Sequence, residues 1–149
     1  KGTTLDQIKS ALSWAVKYDI TAVCSFIIGH WYDTNTSIEQ TIDFAKELQN
    51  EFICQALFAI CTPLPGTKLY KNLKEYNCNL LTDDFDRYDM MTPVMRIENL
   101  SEKEIRNYYY KAVYEVTKSA PKELQTLLTL RKSLPQKLSK YYDYDEFLI

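Results

Sequence analysis

Thr21-Ala22-Val23-Cys24-Ser25-Phe26-Ile27-Ile28, closed by Gly29, and Phe52-Ile53-Cys54-Gln55-Ala56-Leu57-Phe58-Ala59-Ile60 are the two stretches that decide the fold. Both are nearly continuous apolar runs rich in β-branched and aromatic residues. Such composition predicts strands, and the run over 21–28 is expected to be buried on both faces, as in a parallel sheet. Between the two runs, Thr36-Ser37-Ile38-Glu39 has the form of a capping box. Ile38, Thr41, Ile42, Ala45 and Leu48 then recur at helical spacing. A strand, a helix and a strand in that order make a βαβ unit, whose strands run parallel.

Working outward, Thr4-Leu5-Asp6-Gln7 is a capping box that opens a first helix. Leu5, Ile8, Leu12, Ala15 and Val16 form its expected buried face, and Tyr18-Asp19 ends it. After the second strand, Cys61-Thr62-Pro63-Leu64-Pro65-Gly66-Thr67 forms a loop stiffened by its prolines. A third helix is predicted from Thr67 through Leu69, Tyr70, Leu73 and Tyr76, and residues 77–98 read as irregular. Ser101-Glu102-Lys103-Glu104 is a third capping box, opening a helix to about Lys118. Its expected core face is Ile105, Tyr108, Tyr109, Ala112, Val113 and Val116. Pro121 suits a helical first turn, with Leu124, Leu127, Leu128 and Arg131 continuing to Pro135. In the tail, Tyr141, Tyr142, Tyr144 and Phe147 leave two readings open, a docked aromatic strap or a disordered end.

The predicted class is therefore α/β: two βα units with parallel strands, plus a C-terminal helical extension, divided at 1–98 and 99–149. Two such units close no barrel and leave strand edges unpaired. The chain is accordingly expected to be part of a larger α/β enzyme, with the missing strands as its first partner. Self-association of the open edges into a dimer is a weaker reading.

Composition narrows the functional classes. A net charge of -2 argues against a nucleic-acid or anionic-membrane surface built on bulk charge. No apolar run approaches a membrane span, and no signal peptide follows Lys1, so a cytoplasmic location is expected. Cys24, Cys54, Cys61 and Cys78 form no CxxC pair, which leaves local metal clamping unsupported and favours reduced, mostly buried thiols. His30 is the only histidine, and a lone loop histidine is more often solvated than a base. Asp33 is expected to cap the second helix together with Asn35. Asp83, Asp84, Asp86 and Asp89 read as a solvated acidic loop, since no EF-hand pattern follows. Tyr108, Tyr109 and Tyr110 cannot share one helical face, so at least one is expected to be exposed or to meet a missing domain.

Several stretches resemble one family, the radical S-adenosylmethionine (SAM) enzymes, in order and spacing. Lys1-Gly2-Thr3-Thr4 resembles the family's "KGxT" after the fourth barrel strand. Phe26-Ile27-Ile28-Gly29-His30-Trp31-Tyr32-Asp33-Thr34 is similar to "FIxGxPgET" at the end of the fifth. Thr62-Pro63-Leu64-Pro65-Gly66-Thr67-Lys68-Leu69-Tyr70 is similar to "TPyPGTxLY" after the sixth. Tyr88-Asp89-Met90-Met91-Thr92-Pro93-Val94, with Leu100-Ser101-Glu102-Lys103-Glu104-Ile105, resembles the trailing segment of the subgroup that often carries an N-terminal cobalamin-binding domain. The likeness covers roughly residues 1–118. Trp31 stands where the family has Pro, Asp33 where it has Glu, and Leu64 where it has Tyr.

The resemblance implies the C-terminal part of a partial (β/α)6 TIM-like barrel. It implies a parent that binds a [4Fe-4S] cluster and SAM, possesses in some members a cobalamin domain, and cleaves SAM to a 5′-deoxyadenosyl radical. The family's CxxxCxxC loop, which supplies the soft thiolate ligands of the cluster, is absent from this sequence, so this chain alone is expected to be inactive. The resemblance places Ile27, Gly29, Thr62 and Pro63 at the SAM pocket; it assigns no catalytic or metal-ligating residue. The substrate is unknown. A non-catalytic α/β binding or interaction module is the alternative.

Overall fold

The computed structural model describes residues 2–121. Eight helices and strands follow in the order α1 (Leu5–Lys17), β1 (Val23–Ile28), α2 (Asn35–Phe52), β2 (Gln55–Ile60), α3 (Lys68–Lys71), β3 (Asn79–Leu80), β4 (Met95–Arg96) and α4 (Glu102–Ser119), with short 3-10 turns at Leu73–Tyr76 and Phe85–Arg87. The predicted α/β class with parallel strands holds. β1 and β2 pair in parallel, with Val23 opposite Gln55 and Ile28 opposite Ile60. The C-terminal helix α4 packs on α2 and β2. The continuation beyond Pro121 and the tail lie outside the described residues.

One expectation about the sheet is corrected. β1 is not buried on both faces: its burial alternates, with Val23, Ser25 and Ile27 exposed and Ile28 buried. β2 alternates too, with Ala56, Phe58 and Ile60 buried and Leu57 exposed. Among the described residues, the helices cover one face only. On that face Ile28, Ile42, Ala45, Ala56, Ile60, Ile105 and Ala112 belong to one buried cluster. Among the described residues nothing covers the other face, on which the half-exposed Val23 and Ile27 lie. Strands are also shorter than the apolar runs suggest. Phe52 ends α2 rather than opening β2, because Ile53 takes a left-handed conformation (φ 51°) that stops the helix, and the ladder begins at Gln55.

The helix starts follow local chemistry. Thr4 and Gln7 form the predicted capping box, as do Ser101 and Glu104. In α2 the box forms two residues earlier than expected: Thr34 accepts from the Ser37 amide, and the Ser37 hydroxyl accepts from the Thr34 amide. Thr34 is extended (φ -125°, ψ 167°), the backbone a cap requires. The Thr36–Glu39 pattern thus lies inside the first turn, and Glu39 is used elsewhere, against Lys111 of α4 at 2.6 Å. Lys46 of α2 likewise meets Glu115 of α4 at 2.7 Å. These partly exposed pairs align two helices that are already held by apolar contact.

Three further expectations are corrected. On α1 only Leu12 is fully buried, with Ile8 and Ala15 half-buried; Leu5 and Val16 face solvent. Residues 77–98 are not wholly irregular, since β3 and β4 pair antiparallel (Asn79 with Arg96, Leu80 with Met95) and bury Val94, Met95 and Ile97. None of the three consecutive tyrosines is exposed: Tyr109 and Tyr110 are buried and Tyr108 half-buried, α4 packing on both α2 and β2. The third helix is also brief, one α-turn followed by the 3-10 turn that ends at Tyr76.

Gln49, on the last turns of α2, is fully buried, and neither end of its amide has a hydrogen-bond partner. An unmet buried amide costs on the order of 1–3 kcal/mol. Gln49→Met keeps the length and removes both polar atoms. It should therefore raise stability by about 1 kcal/mol, seen as a higher urea midpoint at unchanged slope. A lower midpoint would show that the amide is satisfied in solution.

Candidate functional site

The parallel register brings the predicted residues to one place. Ile28 is paired with Ile60, so Gly29 follows one strand and Cys61, Thr62 and Pro63 follow the other, side by side at the carboxyl end of the sheet. The Cys61 amide donates to the Ile28 carbonyl at 2.7 Å, extending the ladder one step beyond the strands. Ile27 points to the bare face and is 51% exposed. Thr62 is half-buried, with its hydroxyl turned back to the Ile60 carbonyl at 3.0 Å, and Pro63 is fully buried. All four residues therefore gather at one end, Ile27 exposed and Gly29 and Pro63 buried.

Gly29 is there for two reasons. Its φ of +79° belongs to a region that L side chains enter at a cost, and a Cβ would sit 3.1 Å from Ile105 Cγ2 of α4. The chain thus turns sharply off β1 with its backbone pressed against a buried isoleucine.

Asp33 fixes that turn and does not act as the helix cap expected of it. Its carboxylate is buried, 7% exposed. One oxygen accepts from the Gly29 amide at 2.8 Å and from the His30 amide at 3.0 Å. The other accepts from the Ser37 hydroxyl at 3.2 Å. From the far side, Asn99 donates its side-chain amide to the Asp33 carbonyl at 3.2 Å. A carboxylate accepting three donors closes residues 29–33 into one rigid loop. Composition gave no hint of this role. The signal lay in spacing, an acidic residue four positions beyond a strand-ending glycine.

His30 is also corrected. It is half-buried rather than solvated, with Nδ1 3.4 Å from Cys61 Sγ and its ring stacked on Tyr32 at 5.2 Å. Burial lowers the His30 pKa against the opposing pull of Asp33. Burial, helped by the nearby negative charge of Asp33, raises that of Cys61 to about 11. At neutral pH the pair is thus a neutral imidazole beside a neutral thiol, and not the thiolate–imidazolium couple of a cysteine nucleophile. Trp31 meets Tyr32 edge-to-face at 5.0 Å and packs on Tyr76 at 4.4 Å, tying the loop to the segment after β2. This contact explains how the loop accommodates an indole at a position where the resembled family has proline.

The cysteines do not supply a cluster site. Among the described residues no three His, Cys, Asp or Glu side chains converge as metal ligands. Cys24 and Cys54 lie near the amino end of the sheet, Cys61 at the carboxyl end. An iron–sulfur cluster, which needs several convergent thiolates, does not fit them.

No family model matches the sequence. It does have curated relatives. Over 112 residues, 75% of the chain and 24% of the relative, it is 37% identical to an uncharacterized methyltransferase of Pyrococcus horikoshii. Over 105 residues, 70% of the chain and 18% of the relative, it is 27% identical to an anaerobic magnesium-protoporphyrin IX monomethyl ester cyclase of Rubrivivax gelatinosus. Over 116 residues, 78% of the chain and 24% of the relative, it is 26% identical to a bacteriochlorophyllide d C-12(1)-methyltransferase of Chlorobaculum tepidum. Its relatives are enzymes, methyltransferases and a cyclase. The chain spans about a quarter or less of the length of each. No helix among the described residues is long and apolar enough to cross a membrane.

Proposed function

We propose that this chain is the fifth and sixth βα units, with the trailing helix, of a radical SAM enzyme, and that it forms one wall of the SAM pocket. One observation carries the reading: Ile27, on a bare strand face, stands beside the backbone of Gly29 and across from Thr62-Pro63 at the carboxyl end of two parallel strands. Sites of barrels built from parallel strands lie at that end. The motifs at 26–34 and 62–70 fall there, and the names of the relatives support an enzyme that transfers methyl groups or closes rings.

In this reading Ile27 packs on the adenine, and Gly29 makes the sharp turn that ends β1 beside it. Asp33 acts indirectly, by holding the Gly29 and His30 amides in place. The cluster ligands and the remaining strands belong to the rest of a longer parent, whose strands cover the bare face and pair with the free sheet edges. A reduced cluster held by the rest of the parent would supply the electron for reductive cleavage of SAM, to which this chain would contribute only the pocket wall. The substrate class of the parent is methyl transfer or oxidative ring closure on a small molecule, and a cobalamin domain is compatible with the first.

The test is the protein that contains this segment, purified anaerobically with its cluster loaded, and given SAM and dithionite. Release of 5′-deoxyadenosine is expected. Ile27→Asp should raise the KM for SAM roughly tenfold, the cost of setting a carboxylate against an adenine ring, with a smaller effect on kcat. Cleavage that is absent from a fully loaded preparation, or indifferent to Ile27→Asp, would count against the assignment.

A further inference from the structure

At the amino end of the sheet, away from the candidate site, two thiols meet. Cys24 lies on β1, and Cys54 stands one residue before the first ladder pair, Val23 with Gln55. Their sulfurs are 3.6 Å apart. Both point to the helix-covered side, where Cys54 is packed with Leu12 of α1 and Leu48 of α2. Cys54 is fully buried, whereas Cys24 is partly open to solvent.

We infer that Cys24 and Cys54 form a redox-active dithiol, which a small-molecule disulfide converts to an intramolecular disulfide joining β1 to the entry of β2. This goes beyond the proposed SAM site and does not depend on it. Three observations carry it. The sulfurs are already in contact, and closing from 3.6 Å to a bond of about 2.05 Å asks for side-chain rotation and a small shift of Cys54. Cys54 precedes the ladder, at the link that follows the left-handed Ile53, so its backbone is the freer of the two. The two residues also differ in burial, Cys24 being partly buried and Cys54 fully buried, which suits attack by the first and resolution by the second. Electrostatics agree: the hydrogen bond from Cys54 lowers the Cys24 pKa to about 7, and the same contact, with burial, pushes Cys54 up. Cys61 and Cys78 show neither feature, being buried thiols held above their ordinary pKa by desolvation.

The chemistry balances with oxidised glutathione as oxidant. The Cys24 thiolate attacks one sulfur of the reagent, forming a mixed disulfide and releasing one glutathione thiolate. Cys54 gives up its proton, its sulfur attacks Cys24 Sγ, and the second glutathione thiolate leaves. The two cysteines lose two electrons, and the reagent disulfide becomes two thiols.

The full chain, native and reduced, is incubated with oxidised glutathione, quenched by alkylation and mapped by mass spectrometry. A Cys24–Cys54 linked peptide is expected, reversed by dithiothreitol. The oxidised chain should melt several degrees higher, since the link closes a long loop around α2. Cys54→Ser should stop at a glutathione adduct on Cys24. Because Cys54 is fully buried, Cys54→Ala serves the same purpose should the serine variant fail to fold. A persistent glutathione adduct on Cys24 in the unsubstituted chain would overturn the inference, as would links through Cys61 or Cys78 formed equally fast, or thiols left unreacted.

Discussion

Asp33→Ala is expected to lower the stability of this chain by about 3 kcal/mol, one of two comparable effects at the loop after β1. The carboxylate is buried and accepts from two main-chain amides and one hydroxyl. Removing it leaves the Gly29 and His30 amides without an acceptor in a site that water reaches poorly. Hydrogen bonds to a charged acceptor contribute about 1.5–3 kcal/mol each, and the amide left unmet adds its own desolvation cost. Asp33→Asn is the informative control. Its amide oxygen can keep both main-chain donors, and its NH2 can donate to Ser37 Oγ in place of the bond that Ser37 now gives. A loss of only about 1 kcal/mol is expected. Urea denaturation of the three chains, compared at equal slope, measures both. Equal losses for Ala and Asn would mean that charge, rather than satisfied donors, holds the loop.

Gly29→Ala is expected to cost about 3 kcal/mol as well, by another route. A φ of +79° penalises an L side chain by about 1–2 kcal/mol. The added methyl would meet Ile105 Cγ2 at 3.1 Å, inside the buried cluster that joins α4 to the sheet. Overpacking of that kind costs about 1–3 kcal/mol. A double-mutant cycle separates the two contributions. In an Ile105→Ala background the crowding is gone and only the backbone strain remains, so the cost of Gly29→Ala should fall by about half. An unchanged cost would assign the whole effect to backbone conformation, and no cost at all would contradict the observed turn.

What the sequence made legible was what periodicity and capping chemistry record. Thr4 with Gln7 and Ser101 with Glu104 were readable because a capping box is written within four residues. The parallel pairing was readable because a helix separates two apolar runs. The α2 start was not, since two overlapping threonines both had suitable partners, and the winner depended on where Asp33 places the preceding turn. The bare sheet face was hidden for a related reason. An apolar strand reads the same whether its second face meets neighbours or solvent, and Val23, Ile27 and Leu57 look buried by composition alone. At the candidate site, Ile27, Gly29, Thr62 and Pro63 were found through family likeness, and the register shows them adjacent. The pairing of His30 with Cys61 was beyond reach, because it joins residues 31 positions apart through a ladder step that no local pattern encodes.

The bare face has a calorimetric consequence. Heat capacity rises on unfolding chiefly because apolar surface is newly wetted. Here Val23, Ile27 and Leu57 are already wetted in the native state, together with Leu5, Trp14, Val16 and Ile20 on and after α1. Unfolding therefore hydrates less new hydrocarbon than chain length alone would suggest. The stability curve is flattened, cold weakens the fold less steeply, and the denaturant slope is shallow for the number of residues.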